Sequence, residues 1–296
     1  MKLSRSPSSS LKDSGAAPAG SDLFERYRLD IAYDGTDFSG WAKQPDLETI
    51  AGTILTALAT ILGEDDSDFG LRVAGRTDAG VHATGQVAHI DVFQSQLRRA
   101  GRAGLTASRL NGLLPNSIRI KSLARVTADF DARFAASQRD YRYRIADSVE
   151  NQLPENARYT LWHPRKLDAP RMNQAAQPLI GVHDFAAFCK PRPGATTIRE
   201  LRQIAVLRDE SGAITIHLAA DAFCHNMVRS LVGALIAVGE GRLTDADLVD
   251  ILNSRARGSR FKVVPPHGLT LTAVDYPSPG EWNQQVAKAK NRRDLD

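Results

Sequence analysis

Two stretches of this chain pass through the same order of strand-like and helix-like segments, and that order narrows the fold more than any other feature. Arg26 to Tyr33 reads as a strand stopped by Asp34-Gly35. Glu48 to Leu62 is an amphipathic helix, with Ile50, Ile54, Leu58, Ile61 and Leu62 at helical spacing and Gly63 ending it. A strand from Gln86 to Phe93 follows, then a helix from Leu97 to Leu113 closed by Leu114-Pro115-Asn116, then a strand from Ile118 to Val126. After Asp129 the order starts again. Arg139 to Ile145 is a strand, Asp168 to Leu179 a helix, and Ile204–Arg208 with Ala213–Ala219 a hairpin around Asp209-Glu210-Ser211-Gly212. A long apolar helix from Cys224 to Val238, a short helix capped at Thr244, and an alternating strand from Leu269 to Tyr276 complete it. The pattern predicts an α+β fold: two ferredoxin-like α/β halves sharing an extended antiparallel sheet, with helices packed on one side. The halves are expected at 23–127 and 128–279. They are flanked by a disordered leader at 1–22, rich in Ser, Ala, Gly and Pro, and a flexible tail at 280–296.

At 296 residues and 42% hydrophobic content the chain can bury a substantial core. No apolar run approaches the roughly 18 residues of a membrane span. Lys2 and Arg5 have no apolar stretch behind them, so a signal peptide is not expected and a cytoplasmic location is. Seven scattered histidines show no metal-binding spacing. Two cysteines, Cys189 and Cys224, permit one bridge, but a pair of buried thiols is the expectation. The formal charge of +4 is spread over both termini and the body, so a case for an anionic partner rests on where charges cluster.

Five runs can carry chemistry. In Ala74-Gly75-Arg76-Thr77-Asp78-Ala79-Gly80-Val81-His82 a lone carboxylate lies two residues from a guanidinium between glycines at 75 and 80. Such an Asp either caps a turn or reaches a substrate closely as a charged nucleophile or base. Arg139-Asp140-Tyr141-Arg142-Tyr143-Arg144, on a strand, puts Arg139, Tyr141 and Tyr143 on one face and Arg142 and Arg144 on the other. That alternation suits either an ordinary half-buried strand or nucleic acid, with rings for bases and guanidinium groups for phosphates. Arg229 stands in an otherwise apolar helix and needs an acidic partner. Pro265-Pro266-His267-Gly268-Leu269 stiffens the approach to the last strand. Arg98, Arg102 and Arg109, on one face of the 97–113 helix, form either a solvated surface or a phosphate-tracking stripe.

Taken together these runs resemble the TruA family of tRNA pseudouridine synthases. The matching residues are Tyr33-Asp34-Gly35-Thr36 with Phe38-Ser39-Gly40-Trp41, the 74–83 run, Thr84-Gly85-Gln86-Val87, and Asn111 with Leu114-Pro115. They continue with Phe130-Asp131-Ala132-Arg133-Phe134, Tyr141-Arg142-Tyr143, Ala222-Phe223, Met227-Val228-Arg229, Val232-Gly233 and Gly268-Leu269. The resemblance implies isomerisation of uridine to pseudouridine at positions 38, 39 and 40 of the tRNA anticodon stem-loop. It also implies no cofactor, no metal, and a homodimer. By match to the motif, Asp78 is the catalytic carboxylate. Tyr141 stacks on the target uracil and is a candidate base at C5, Leu269 packs against the base, and Arg76 and Arg229 form the cationic setting. Arg98, Arg102, Arg109 and Arg139 are expected on the RNA backbone. The sequence departs from the family at Ala42-Lys43-Gln44-Pro45, Ile50-Ala51 and Cys224-His225-Asn226, around the rim of the expected site. The alternatives are a non-catalytic RNA-binding protein and a hydrolase; the latter usually needs a second carboxylate, which the sequence does not offer.

Overall fold

The computed structural model describes residues 23–65, 67–192, 194 and 196–291; the expected leader and the last five residues lie outside them. The N-terminal half runs β1 (Phe24–Tyr33), α1 (Ile50–Leu62), β2 (Arg72–Val73), β3 (His82–Phe93), α2 (Gln94–Arg99), α3 (Ala107–Leu113) and β4 (Ile118–Val126). Thr49 caps α1 by accepting the Gly52 N–H, and Gly63 ends it in the left-handed conformation (φ +64°). Ile54, Leu58 and Leu62, one stripe of α1, are fully buried.

The C-terminal half runs β5 (Gln138–Ala146), β6 (Leu161–Trp162), α4 (Ala169–Ala176), β7 (Gly181–Asp184), β8 (Ile198–Arg208), β9 (Ile214–Ala220), α5 (Met227–Gly239), α6 (Asp245–Ser254) and β10 (Leu269–Asp275). A last helix, α7, spans Trp282–Lys290. All the described strands join one sheet in the order β4-β1-β3-β10-β5-β9-β8-β7, with β2 on β3 and β6 on β5. Each half thus repeats the ferredoxin-like order: β4-β1-β3-β2 in the first and β10-β5-β9-β8 in the second. Within each half these pairs are antiparallel. The seam between the halves, β3 against β10, is parallel.

The helix expected over 97–113 is two helices. Gly101 and Gly104 adopt positive φ (+69° and +60°), and Thr106 caps a new start. The Arg109 guanidinium closes the turn between them, donating to the Ala100 carbonyl at 2.8 Å. Arg98, Arg102 and Arg109 therefore do not share a helical face. The expected tail is ordered as far as Asn291, because Trp282 is buried against Phe130 (ring centroids 4.9 Å) in a small cluster with Tyr276 and His89. This cluster lies on the sheet face of Arg28 and His89, opposite the face of Leu29 and Ala88. The two cysteines are joined: Cys189 and Cys224 form a disulfide with Cα atoms 5.7 Å apart, within the span such a bond requires. No described helix is long and apolar enough to cross a membrane.

Candidate active site

The seam builds the site. Because β3 and β10 are parallel and pair at Thr270–His82 and Leu271–Ala83, the loop leading into β3 (74–81) and the turn leading into β10 (265–268) lie side by side. His82 ties them together. Burial lowers its pKa, against the pull of Asp34 3.1 Å away. The neutral ring accepts the Gly35 N–H at Nδ1 and donates from Nε2 to the His267 carbonyl, both at 3.1 Å.

The 74–81 backbone is held from every side. Arg139 donates to the Ala74 carbonyl (3.1 Å) and Gln86 to that of Gly75 (2.8 Å). The Tyr33 hydroxyl bonds Thr77 Oγ1 (2.7 Å), and the Trp41 N–H donates to the Thr77 carbonyl (3.1 Å). Gly40, at φ +92°, lets its strand of chain press against this loop: a Cβ there would stand 3.0 Å from the Thr77 carbonyl oxygen and 3.2 Å from the Asp78 carbonyl carbon. Asp78 is thereby fixed in its backbone while its side chain keeps 35% of its surface open.

Arg229 meets that carboxylate from the first turn of α5, with Nη1 3.2 Å from Oδ2. Its Nε donates to the Val264 carbonyl at 2.8 Å, which locks the guanidinium in place. The helix start places the positive end of its dipole on the same side. His225 Nε2 stands 3.5 Å from the other oxygen, Oδ1. On the opposite strand Tyr141 is 9% exposed, and its ring meets Phe223 edge-on at 5.1 Å. Burial, with the charge of Asp78 adding to it, pushes the Tyr141 phenol well above its ordinary range, and its hydroxyl has no hydrogen-bond partner among the described residues. Leu269 lies diagonally across from it, since Leu271 pairs with Tyr141 and Leu269 with Tyr143. Gly268 makes that turn possible, because a Cβ there would stand 2.7 Å from the Tyr143 ring. The result is one charged carboxylate, a fixed guanidinium and an apolar aromatic wall. Among the described residues no group of three or more His, Cys, Asp or Glu could hold a metal ion.

A family profile described as tRNA pseudouridine synthase matches residues 175–277. The tRNA pseudouridine synthase A of Leifsonia xyli subsp. xyli is 46% identical over 286 residues, 93% of this chain and 99% of its own. That of Streptomyces avermitilis is 46% identical over 92% of this chain and 95% of its own, and that of Mycobacterium leprae 45% over 90% and 95%. The chain belongs to the tRNA pseudouridine synthase A family. Among solved structures, an archaeal box H/ACA sRNP Nop10-Cbf5 complex aligns over 71% of this chain and 44% of that chain. Its TM-score of 0.30 and identity of 10% are too low to bear on the fold.

Within this synthase framework, the structure brings together Asp78, Arg229, Tyr141 and Leu269 and separates the others. Arg76 is exposed and makes no ion pair among the described residues, so Arg229 alone supplies the guanidinium beside Asp78. Arg139, expected on the RNA backbone, is instead 8% exposed and donates to four carbonyls, of Ala74, Arg133, Ala136 and Asp221. It is an internal strut of the Asp78 loop, and those acceptors offset the burial that lowers its pKa. Arg98 and Arg102 follow the far end of β3, roughly 35 Å along the strand from the Asp78 loop. His225 was not expected at the site. It precedes α5, and the left-handed turn at Asn226 carries it to Asp78, which helical spacing in the sequence does not signal.

Proposed function

We propose that this chain isomerises uridine to pseudouridine at positions 38, 39 and 40 of the tRNA anticodon stem-loop, with Asp78 as the carboxylate that acts on the ribose. The observation that carries the reading is the single Asp78 carboxylate, backbone-fixed, paired to Arg229 and facing Tyr141 across the seam. The reaction breaks the C1′–N1 bond, turns the uracil, joins C1′ to C5, and exchanges a proton at C5 for one at N1. It is redox-neutral, and the same atoms enter and leave, so no cofactor is called for. The target base must leave its stack, which costs a few kcal/mol. Tyr141 and Leu269 offer it an apolar place to stack, and a dry wall keeps water from capturing the detached ribose. Asp78 can attack C1′ or take the proton from C2′; both need it charged and immobile. Arg229 supports that charge while its own bond to Val264 keeps it from following the carboxylate. The raised pKa of Tyr141 favours a stacking ring over a phenolate base at C5. Arg76, exposed and without an ion pair among the described residues, can reach an RNA phosphate.

The test is Asp78→Asn with an unmodified tRNA transcript. The amide can neither attack nor accept the proton, so pseudouridine formation is expected to vanish while RNA binding persists. Retained formation refutes the assignment. The same reading places the chain in the cytoplasm as a homodimer, as its family resemblance implies; light scattering that returns a monomer removes the dimer.

A further inference from the structure

The stretch from Ile251 to Val274 contains no Asp or Glu, and Arg255, Arg257, Arg260 and Lys262 fall within eight residues of it. All four are exposed. The segment has no regular secondary structure, yet it is pinned. Phe261 is buried and stacks on Phe188, with ring centroids 5.5 Å apart and planes at 21°. The Lys262 carbonyl fills the space beside Gly233, where a Cβ would stand 1.8 Å from its oxygen. Val264 exchanges backbone contacts with Arg229, its N–H donating to the Arg229 carbonyl at 3.3 Å and its own carbonyl accepting from Nε. Between Gly233 and Arg229 the segment therefore follows α5 for one turn, about 6 Å, toward Asp78. The backbone of Lys262 thus stands about one helical turn from Arg229, whose guanidinium pairs with Asp78.

A second loop reaches the same place. Phe188 precedes Cys189, whose disulfide to Cys224 fixes it beside the α5 start, and the Lys190 N–H donates to the His225 carbonyl at 2.8 Å. Lys190 is exposed one residue past that anchor. Two of the rim cations have carboxylate partners: Arg255 lies 3.9 Å from Asp184, and Arg260 pairs with Asp247. Lys190, Arg257 and Lys262 have none among the described residues. Lys190 and Lys262 follow backbone anchors on α5 and at its start, and Arg257 lies five residues before Lys262 on the same acid-free segment, beside a carboxylate that would by itself repel a polyanion.

We propose that Lys190, Arg257 and Lys262 form a phosphate-binding rim that holds the RNA backbone next to the target nucleotide. This rests on the RNA-modifying reading above and replaces buried Arg139 as the source of backbone contacts. Each phosphate neutralised releases counterions, so affinity falls with salt by a slope of about 0.7 to 0.9 per contact.

The experiment measures binding of an unmodified tRNA transcript across a salt series, with single-turnover pseudouridine formation at saturating protein, for wild type and the triple variant K190Q/R257Q/K262Q. The expected result is a salt slope shallower by about 2 to 3 and an affinity about 50-fold weaker near 0.15 M salt, with the rate at saturation unchanged. The charge-preserving variant K190R/R257K/K262R is expected to keep the wild-type slope, which separates a charge effect from a packing effect. An unchanged slope in the glutamine variant overturns the rim. So does a lost rate at saturation with binding intact, or a slope lost equally in the charge-preserving variant. A wild-type protein that binds with a steep slope but forms no pseudouridine refutes the proposed reaction and leaves the rim standing.

Discussion

Gly40→Ala should damage catalysis from a position that touches no substrate. The residue sits at φ +92°, a conformation that costs an L-residue about 1–3 kcal/mol. The new methyl would lie 3.0 Å from the Thr77 carbonyl oxygen, 3.1 Å from the Ala79 nitrogen and 3.2 Å from the Asp78 carbonyl carbon. These neighbours are backbone, and they are held by Tyr33, Trp41 and Gln86, so relief by local movement is resisted; overpacking of this kind costs about another 1–3 kcal/mol. The sum, about 2–6 kcal/mol, is shared between lost stability and a displaced loop. At about 2 °C per kcal/mol, even half of the lower figure should lower the melting temperature by about 2 °C. Displacing the carboxylate by a few tenths of an ångström should slow single-turnover pseudouridine formation by about three- to tenfold, given that a 1 Å error costs about a hundredfold. Gly75 supplies the control. It lies three residues from Asp78, yet a Cβ there meets nothing within 4 Å and its φ is not positive. Gly75→Ala should leave the protein as stable as wild type, or up to about 0.5 kcal/mol more stable. A Gly40→Ala protein that melts and reacts like wild type refutes the claim that close packing by this chain segment positions Asp78.

Two further predictions follow from the tyrosines. Tyr141→Phe should keep most of the activity, because the hydroxyl has no partner to abandon and burial keeps it protonated, whereas Tyr141→Ala should cost about ten- to a hundredfold by removing a stacking platform worth about 1–3 kcal/mol. If single-turnover kinetics find the phenylalanine variant as slow as the alanine variant, the hydroxyl is the base. The second concerns alkaline stability. All six tyrosines have raised pKa values with burial as the largest cause, Tyr27 and Tyr33 to about 12. Their folded pKa values exceed the unfolded value near 10, so above that pH the unfolded chain loses protons that the folded chain keeps. Stability is therefore fully present below pH 10 and declines as pH rises from there toward 12. Thermal melts from pH 8 to 11 should show this decline, and a flat profile sinks it.

The elements that carry local periodicity were legible before the structure. The stripe of α1, the alternation of β5 and the apolar run of α5 each declare themselves within a dozen residues. Alternation put Arg139 on the face of Tyr141 and Tyr143, but its charge suggested an RNA contact rather than the burial observed. What the sequence concealed was that four carbonyls would converge on its guanidinium, because they come from residues 74, 133, 136 and 221. The break between α2 and α3 was signalled by Gly101 and Gly104 and outweighed by the apolar spacing on either side. Trp282 and Val286, four residues apart, marked α7 within a segment whose polarity suggested a tail. The Cys189–Cys224 bond depends on β8 and β9 returning the chain to its start, which nothing near either cysteine encodes.

The parallel seam is the feature that local sequence could least disclose, and the site depends on it. Two ferredoxin-like halves can meet edge to edge in either direction. In the parallel arrangement, the segments that enter β3 and β10 arrive at the same end of the sheet, so Asp78 and Leu269, nearly two hundred residues apart, become neighbours. Antiparallel joining would send the 265–268 turn to the opposite end, some eight or more ångströms away for even a short strand overlap. It would also separate Arg229 from Asp78, since the guanidinium is held by Val264 just before that turn. The pairing itself is brief, two residue pairs, and cannot enforce the direction alone. Direction is fixed instead by His82 reaching the His267 carbonyl and by Gly85, where a Cβ would stand 2.1 Å from the Thr272 carbonyl oxygen. Both residues lie on β3 directly after the Asp78 loop. The run that carries the carboxylate thus also carries the contacts that bring the second half of the molecule to it.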